Sequence, residues 1–148
     1  MQLHNNFTGT CTCIFSADTD EQVGFTAQAN TDAIYNASDV VKFGATLSNF
    51  GEYYNTNTSI FICPYDGIYM FNHIVQADND ADVRTLIKIG NREIGRTYSH
   101  ETLEKSSAFA IVECESGEKA WVESLSDNQA IRDGVKQSTF SGYLLHRY

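Results

Sequence analysis

Proline is nearly absent from this chain: Pro64 is the only one in 148 residues. No apolar run approaches the ~20 residues that a membrane helix needs. The opening MQLHNNFTGTCTC has no signal-peptide apolar region, so secretion would require a leader removed beforehand. Basic residues are few and scattered, ten Lys and Arg against nineteen Asp and Glu, for a formal net charge of −9. Phosphate binding depends on clustered Lys and Arg, so this balance argues against a nucleic-acid partner. The acidity favours solubility and names no ligand. No Gly-rich phosphate loop, nucleophile elbow or HExxH motif occurs. His4, His73, His100 and His146 lie far apart without ligand spacing. No Asp or Glu pair is marked as a coupled acid and base. These absences argue against an enzyme. Helical periodicity, internal repeats, low-complexity tracts and Gly-X-Y runs are also missing.

What remains is a β pattern rich in aromatics. It centres on FGATLSNFGEYYNTNTSIFICPYDGIYMFNH, residues 43–73. Two aromatic and β-branched runs, 59–63 and 68–75, flank Pro64-Tyr65-Asp66-Gly67, and that spacing predicts a hairpin. Pro64 presets its own φ, Asp66 can bond its local backbone, and Gly67 can take the positive φ that closes the turn. With so few polar positions, the second run is expected to be covered on both faces. Further strands are expected at 23–29, 40–47, 83–89, 92–98, 107–113, 119–124 and 139–145. Gly90-Asn91 suits a type II′ turn between the runs 83–89 and 92–98. Short strands with turn signals and no helix predict an antiparallel sandwich or jelly roll, and the length suits one domain.

Four cysteines and three N-x-S/T sequons, at Asn6, Asn36 and Asn57, favour an extracellular protein. Cys11 and Cys13 are too near in sequence to bond comfortably to each other. Cys63 and Cys114 read either as buried thiols or as a disulfide.

The central stretch resembles the signature of the complement C1q globular-head family, within the tumour-necrosis-factor-like superfamily. Its pattern is Phe, five residues, Asn or Asp, four residues, an aromatic, six residues, Phe, five residues, Gly-x-Tyr-x-Phe-x-aromatic. It falls here on Phe43, Asn49, Tyr54, Phe61, Gly67, Tyr69 and Phe71, with His73 in place of the last aromatic. The segments 117–122 and 138–145 are similar to that family's last strands. The resemblance implies a C1q-like globular domain over 22–148, after an irregular segment 1–21 that holds Cys11 and Cys13. It implies a ten-stranded all-β antiparallel jelly roll, a homotrimer, and a stalkless member of invertebrate type. On that view Trp121, Tyr69, Phe71 and Phe140 pack in the core or at the trimer interface, and His73 is a satisfied interior or interface histidine.

Candidate sites follow on the loops, where functional residues concentrate. Strand parity expects the loops 48–58, 78–82, 99–105 and 125–137 at one end and the turns 64–67, 90–91 and 115–118 at the other. Tyr53, Tyr54, Asn55 and Asn57 offer ring faces and amides suited to sugars. Asp127 and Asn128 offer hydrogen bonds, and Arg132 can hold a carboxylate. Asp78, Asp80 and Asp82 share the alternate spacing that opens a calcium loop but lack the EF-hand Gly and Glu; the competing reading is a solvated acidic turn. The resemblance adds that Asp82 matches in position a calcium-binding aspartate near the trimer axis. The expected function is a secreted lectin-like recognition module of innate immunity, modulated by calcium or independent of it, that binds microbial polysaccharide or sialylated glycans. Alternatives are a protein-binding extracellular ligand, with Cys11 and Cys13 linking subunits into higher assemblies, or a calcium-binding matrix protein. No membrane insertion is expected.

Overall fold

A computed structural model of the chain describes residues 21–78, 82–101, 103–131 and 138–148. Among the described residues the regular structure is all strand: β1 (Gly24–Gln28), β2 (Ala33–Tyr35), β3 (Ala45–Phe50), β4 (Tyr54–Asn55), β5 (Ile60–Ile62), β6 (Gly67–Gln76), β7 (Val83–Ile89), β8 (Arg92–Ser99), β9 (Lys105–Cys114), β10 (Lys119–Ser124), β11 (Gln129–Ile131) and β12 (Thr139–Arg147). Ten of them form two five-stranded antiparallel sheets, β3-β1-β12-β6-β9 and β4-β5-β10-β7-β8, while β11 and β2 pair separately. This is the ten-stranded jelly roll expected from the sequence.

The core lies between the sheets and is largely aromatic. Phe25 stacks on Tyr54 at 4.4 Å between ring centroids and on Phe61 at 4.9 Å, and meets Phe140 edge-on at 4.9 Å. Tyr69, Phe71 and Phe140 are fully buried, as expected of them. Each such ring contributes roughly 1.5–3 kcal/mol of burial, and offset or edge contacts add roughly 0.5–1.5 kcal/mol each. Trp121 is only half-buried, its indole N–H donating to Glu123 Oε2 at 3.0 Å.

The structure explains the signature spacing. Asn49 brackets Tyr54 across a tight turn, donating from Nδ2 to Tyr54 O at 2.9 Å and accepting from Tyr54 N at 3.2 Å. Gly51 and Glu52 both take positive φ, 80° and 61°, to make that turn. The Tyr54 hydroxyl then donates to Phe43 O at 2.8 Å, and burial pushes its pKa up to about 12. The positions 43, 49 and 54 thus form one hydrogen-bonded corner.

The predicted hairpin at 59–75 is corrected. β5 pairs with β4 and β10, whereas β6 pairs with β12 and β9, so residues 63–66 form an arch from one sheet to the other. The reason is that the aromatics of both runs point inward and meet across the sandwich, Phe61 lying 6.1 Å from Tyr69 and 5.9 Å from Phe71. Asp66 bonds another loop rather than its own, accepting from Ser116 N at 2.7 Å. Gly67 is not in the left-handed region; it is needed because a Cβ there would fall on the His146 carbonyl oxygen. β6 also buries only one face in the single chain, Tyr69, Phe71 and His73 inward and Ile68, Met70, Asn72 and Ile74 half-exposed.

The expected strand 40–47 divides as well. Val40 and Val41 bond the second sheet through Glu123 and Val122, and the chain then crosses to pair as β3 with β1. Its apolar residues Val41 and Phe43 are buried in the crossing. The β7–β8 turn is as expected, with Gly90 at φ 55°.

Candidate functional site

The registers sort the connections by end. β7 starts, and β8 and β10 finish, at the end that carries the segments 77–78, 100–101, 103–104 and 125–128; the turns 63–66, 90–91 and 115–118 occupy the other. The expected loop 48–58 does not join the first group. Tyr53 lies at the turn end, its hydroxyl donating to Glu21 Oε2 at 3.1 Å beside the Tyr65 hydroxyl at 2.6 Å. Tyr54 is a core residue, which removes it as a surface contact. Asn55 folds onto its own turn, accepting from Asn57 N at 2.9 Å and Thr58 N at 3.2 Å. That turn sits on the sheet edge, where Lys42 Nζ donates to Thr58 O at 3.2 Å and Asn57 is exposed.

Asp127 and Asn128 do belong to the loop end. Asp127 accepts from Ala37 N at 2.9 Å, tying its loop to the exposed Asn36 turn, and Asn128 is held at φ 57°. Arg132 and Asp80 lie outside the described residues, as do Cys11, Cys13 and Asn6. Asp78 donates its backbone N–H to Ala130 O at 2.9 Å.

The strongest polar cluster at this end forms around Asp82. His100 Nδ1 donates to Asp82 Oδ1 at 2.5 Å, and Arg84 Nη2 lies 3.4 Å from Oδ2. The hydrogen bond from His100 holds the Asp82 carboxyl below its usual range and raises the imidazole pKa in return. Glu104 accepts from the backbone N–H of His100 at 2.6 Å and of Glu101 at 3.1 Å, which lowers its pKa. Asp82 is therefore matched by imidazole and guanidinium donors. Among the described residues no three His, Cys, Asp or Glu side chains gather to hold a metal ion. A calcium cage needs roughly six to eight oxygens, and of the three expected carboxylates Asp80 lies outside the described residues.

Beside this cluster lies a hollow of about 330 Å³ lined by Arg84, Arg96, Thr97, Tyr98 and Leu125. Arg84 and Tyr98 are direct cross-strand partners, and Arg96 lies two residues from Tyr98 on the same face. The Arg84 guanidinium sits 5.1 Å from the Tyr98 ring centroid, and the ring stacks with His100 at 6.1 Å. Leu125 N donates to Arg84 O at 2.9 Å, which joins the hollow to the Asp127 loop. Sequence reasoning missed Arg84, Arg96, Tyr98 and His100. The available signal was strand parity, since outward positions on two paired strands carry both arginines and the ring.

The second surface feature is apolar. The outer face of the first sheet carries one row across all five strands, Phe50, Gly24, Tyr143, Met70 and Ile111, aligned by register. Phe109 and Ile111 are 58% and 57% exposed, and Phe50 is 57% exposed. Patches of this kind mark interfaces.

The C1q domain family profile matches residues 24–145. Complement C1q tumor necrosis factor-related protein 3 of Mus musculus is 26% identical over 128 residues, which cover 84% of this chain and 51% of that protein. The chain thus spans about half the length of that relative. The globular domain of zebrafish complement 1qA protein superposes with a TM-score of 0.70 at 17% identity, covering 85% of this chain and 99% of that one. Eiger TNF of S. frugiperda superposes with a TM-score of 0.71 at 8% identity, covering 86% and 95%.

Proposed function

The chain belongs to the C1q domain family, and from that premise we propose that it is a secreted, non-catalytic recognition module that binds acidic carbohydrate, such as microbial polysaccharide or sialylated glycans, as a homotrimer. C1q/TNF-like proteins form homotrimers. The observation that carries the reading is the separation of two surfaces. The row Phe50, Tyr143, Met70 and Ile111 needs cover and supplies the contact between copies. The hollow at the loop end is set apart from that row, with a tyrosine ring and two guanidinium groups around it.

Arg84 and Arg96 are suited to a carboxylate or sulfate on a sugar, since a guanidinium donates two parallel hydrogen bonds to such groups. Tyr98 offers part of its ring to the sugar's C–H face, and Asp127 and Asn128 extend the surface with donors and acceptors. Each site alone is shallow and weak, and three on one assembly gain avidity by engaging together. No step in this reading runs through calcium.

A glycan array probed with and without calcium tests it. The expected result is selective binding to acidic glycans, weakened about tenfold or more in an Arg84→Ala/Arg96→Ala variant that keeps its assembly state. Absence of signal at high concentration in both conditions, from protein shown to be trimeric, would overturn the reading. Preference for neutral glycans with no effect of the two arginines would overturn this placement of the site.

A further inference from the structure

Two thiols at the turn end are placed as a pair that neither the trimer face nor the glycan site uses. Cys63 follows β5 in one sheet and Cys114 closes β9 in the other. Both are buried and free. We propose that Cys63 and Cys114 form an intrachain disulfide that staples the two sheets together in an oxidising compartment.

The backbone already fixes both residues. Cys63 N donates to Glu118 O at 2.9 Å and Gly117 N donates to Cys63 O at 2.7 Å, so the turn after Cys114 folds directly back onto Cys63. Cys114 in turn is paired across the ladder with Gly67, just past the arch that Cys63 opens. The two side chains face that same corner, near enough for each to shift the pKa of the other. The interaction with Cys114 and burial raise the Cys63 pKa; the interaction with Cys63 and nearby Arg92 lower that of Cys114. Arg92 is anchored there by hydrogen bonds to Glu118 Oε2 and Glu113 O, both at 2.9 Å. A groove of about 470 Å³, lined by Asp66, Arg92, Glu113, Cys114, Glu118 and Tyr148, leads to the Cys114 side from solvent.

The chemistry follows from access, since Cys114 and not Cys63 lines the groove. The Cys114 thiolate attacks a small disulfide such as oxidised glutathione, forming a mixed disulfide and releasing one thiolate. Cys63 then loses its proton to solvent, attacks the Cys114 sulfur and displaces the second thiolate. Two protein thiols are oxidised, one small disulfide is reduced to two thiols, and no other reactant is required. The closed loop spans the arch, β6 to β9 and the hairpin between them, so the link removes much freedom from the unfolded chain.

The test uses the full chain carrying Cys11→Ser and Cys13→Ser, equilibrated with oxidised glutathione, then denatured, alkylated and mapped by peptide mass without reduction. The expected result is a cross-linked peptide pair containing Cys63 and Cys114, lighter than the two free peptides by about 2 Da and lost on reduction. A rise in melting temperature of roughly 10 °C over the reduced sample is expected with it, absent in Cys63→Ser. Full alkylation of both cysteines after equilibration would overturn the proposal. So would a glutathionyl adduct that persists on Cys114. Mapping of the otherwise unmodified fold decides the matter even if Cys63→Ser fails to fold, and its outcome is independent of any glycan result.

Discussion

Acidification should weaken this domain through His73, and a His73→Phe variant should lose that part of the response. His73 is 0% exposed, and its Nε2 lies 2.9 Å from Thr85 Oγ1, while Nδ1 has no hydrogen-bond partner among the described residues. Burial favours the neutral ring and lowers its pKa from 6.5 to about 4. The unfolded chain therefore takes up the proton near pH 6.5 and the folded chain only near pH 4. Stability from this group is full above the first value, falls through the interval as pH falls, and levels off below the second. One pKa unit corresponds to about 1.4 kcal/mol, so the loss is about 2 kcal/mol at pH 5 and about 3 kcal/mol at pH 4. Urea unfolding at fixed protein concentration, run from pH 7.5 to 4.5, reads this as a midpoint shift of roughly 1 M at pH 5. Phe restores the aromatic of the family signature and leaves the Thr85 and Thr97 hydroxyls bonded to each other at 2.5 Å. It costs about 1–3 kcal/mol where its larger ring crowds the Thr85 hydroxyl, which lies 2.9 Å from His73 Nε2. The exposed Asp82–His100 pair titrates equally in both proteins and cancels. Equal pH slopes for wild type and variant between pH 7 and 5 would refute the argument.

Asn49→Ala should cost about 1–3 kcal/mol in urea unfolding, because it leaves the Tyr54 N–H and C=O without the amide that brackets them. A cost no larger than that of an exposed-loop control such as Asn57→Ala would mean that the corner is held by packing alone. Phe109→Glu with Ile111→Glu should leave the fold intact, since both side chains are more than half exposed in the single chain. It should shift the assembly from about 50 kDa toward the 16.5 kDa chain in light scattering. An unchanged trimer mass would place the contact between copies elsewhere.

Much of the fold was legible because alternation is a local property. The outcome for β7, β8, β9, β10 and β12 agrees with their runs of apolar and polar residues, and Gly90-Asn91 specifies its turn by backbone preference alone. β2, β4 and β11 were not legible, because two or three residues carry no period; they form where a neighbour supplies the hydrogen bonds. The candidate site was less legible still. Tyr53 and Tyr54 are adjacent in sequence, yet one binds Glu21 at the turn end and the other fills the core, because successive strand residues point to opposite faces. Asp82 is spaced like a calcium ligand with Asp78 and Asp80, but its nearest charged partners are His100, just beyond the end of β8, and Arg84.

The sequence by itself determined the all-β class, the family signature from Phe43 to Phe71, and the acidity that argues against a nucleic-acid partner. Each of these depends on residue type and spacing, which the linear chain carries in full. Only the tertiary structure decided that residues 59–75 form an arch instead of a hairpin, that the turn after Cys114 folds back onto Cys63, and that Phe50, Tyr143, Met70 and Ile111 make one row. Strand partners in a jelly roll are set by which aromatic faces meet across the sandwich, and that pairing is long-range. A local pattern fixes a strand's two faces but not the strand that lies beside it.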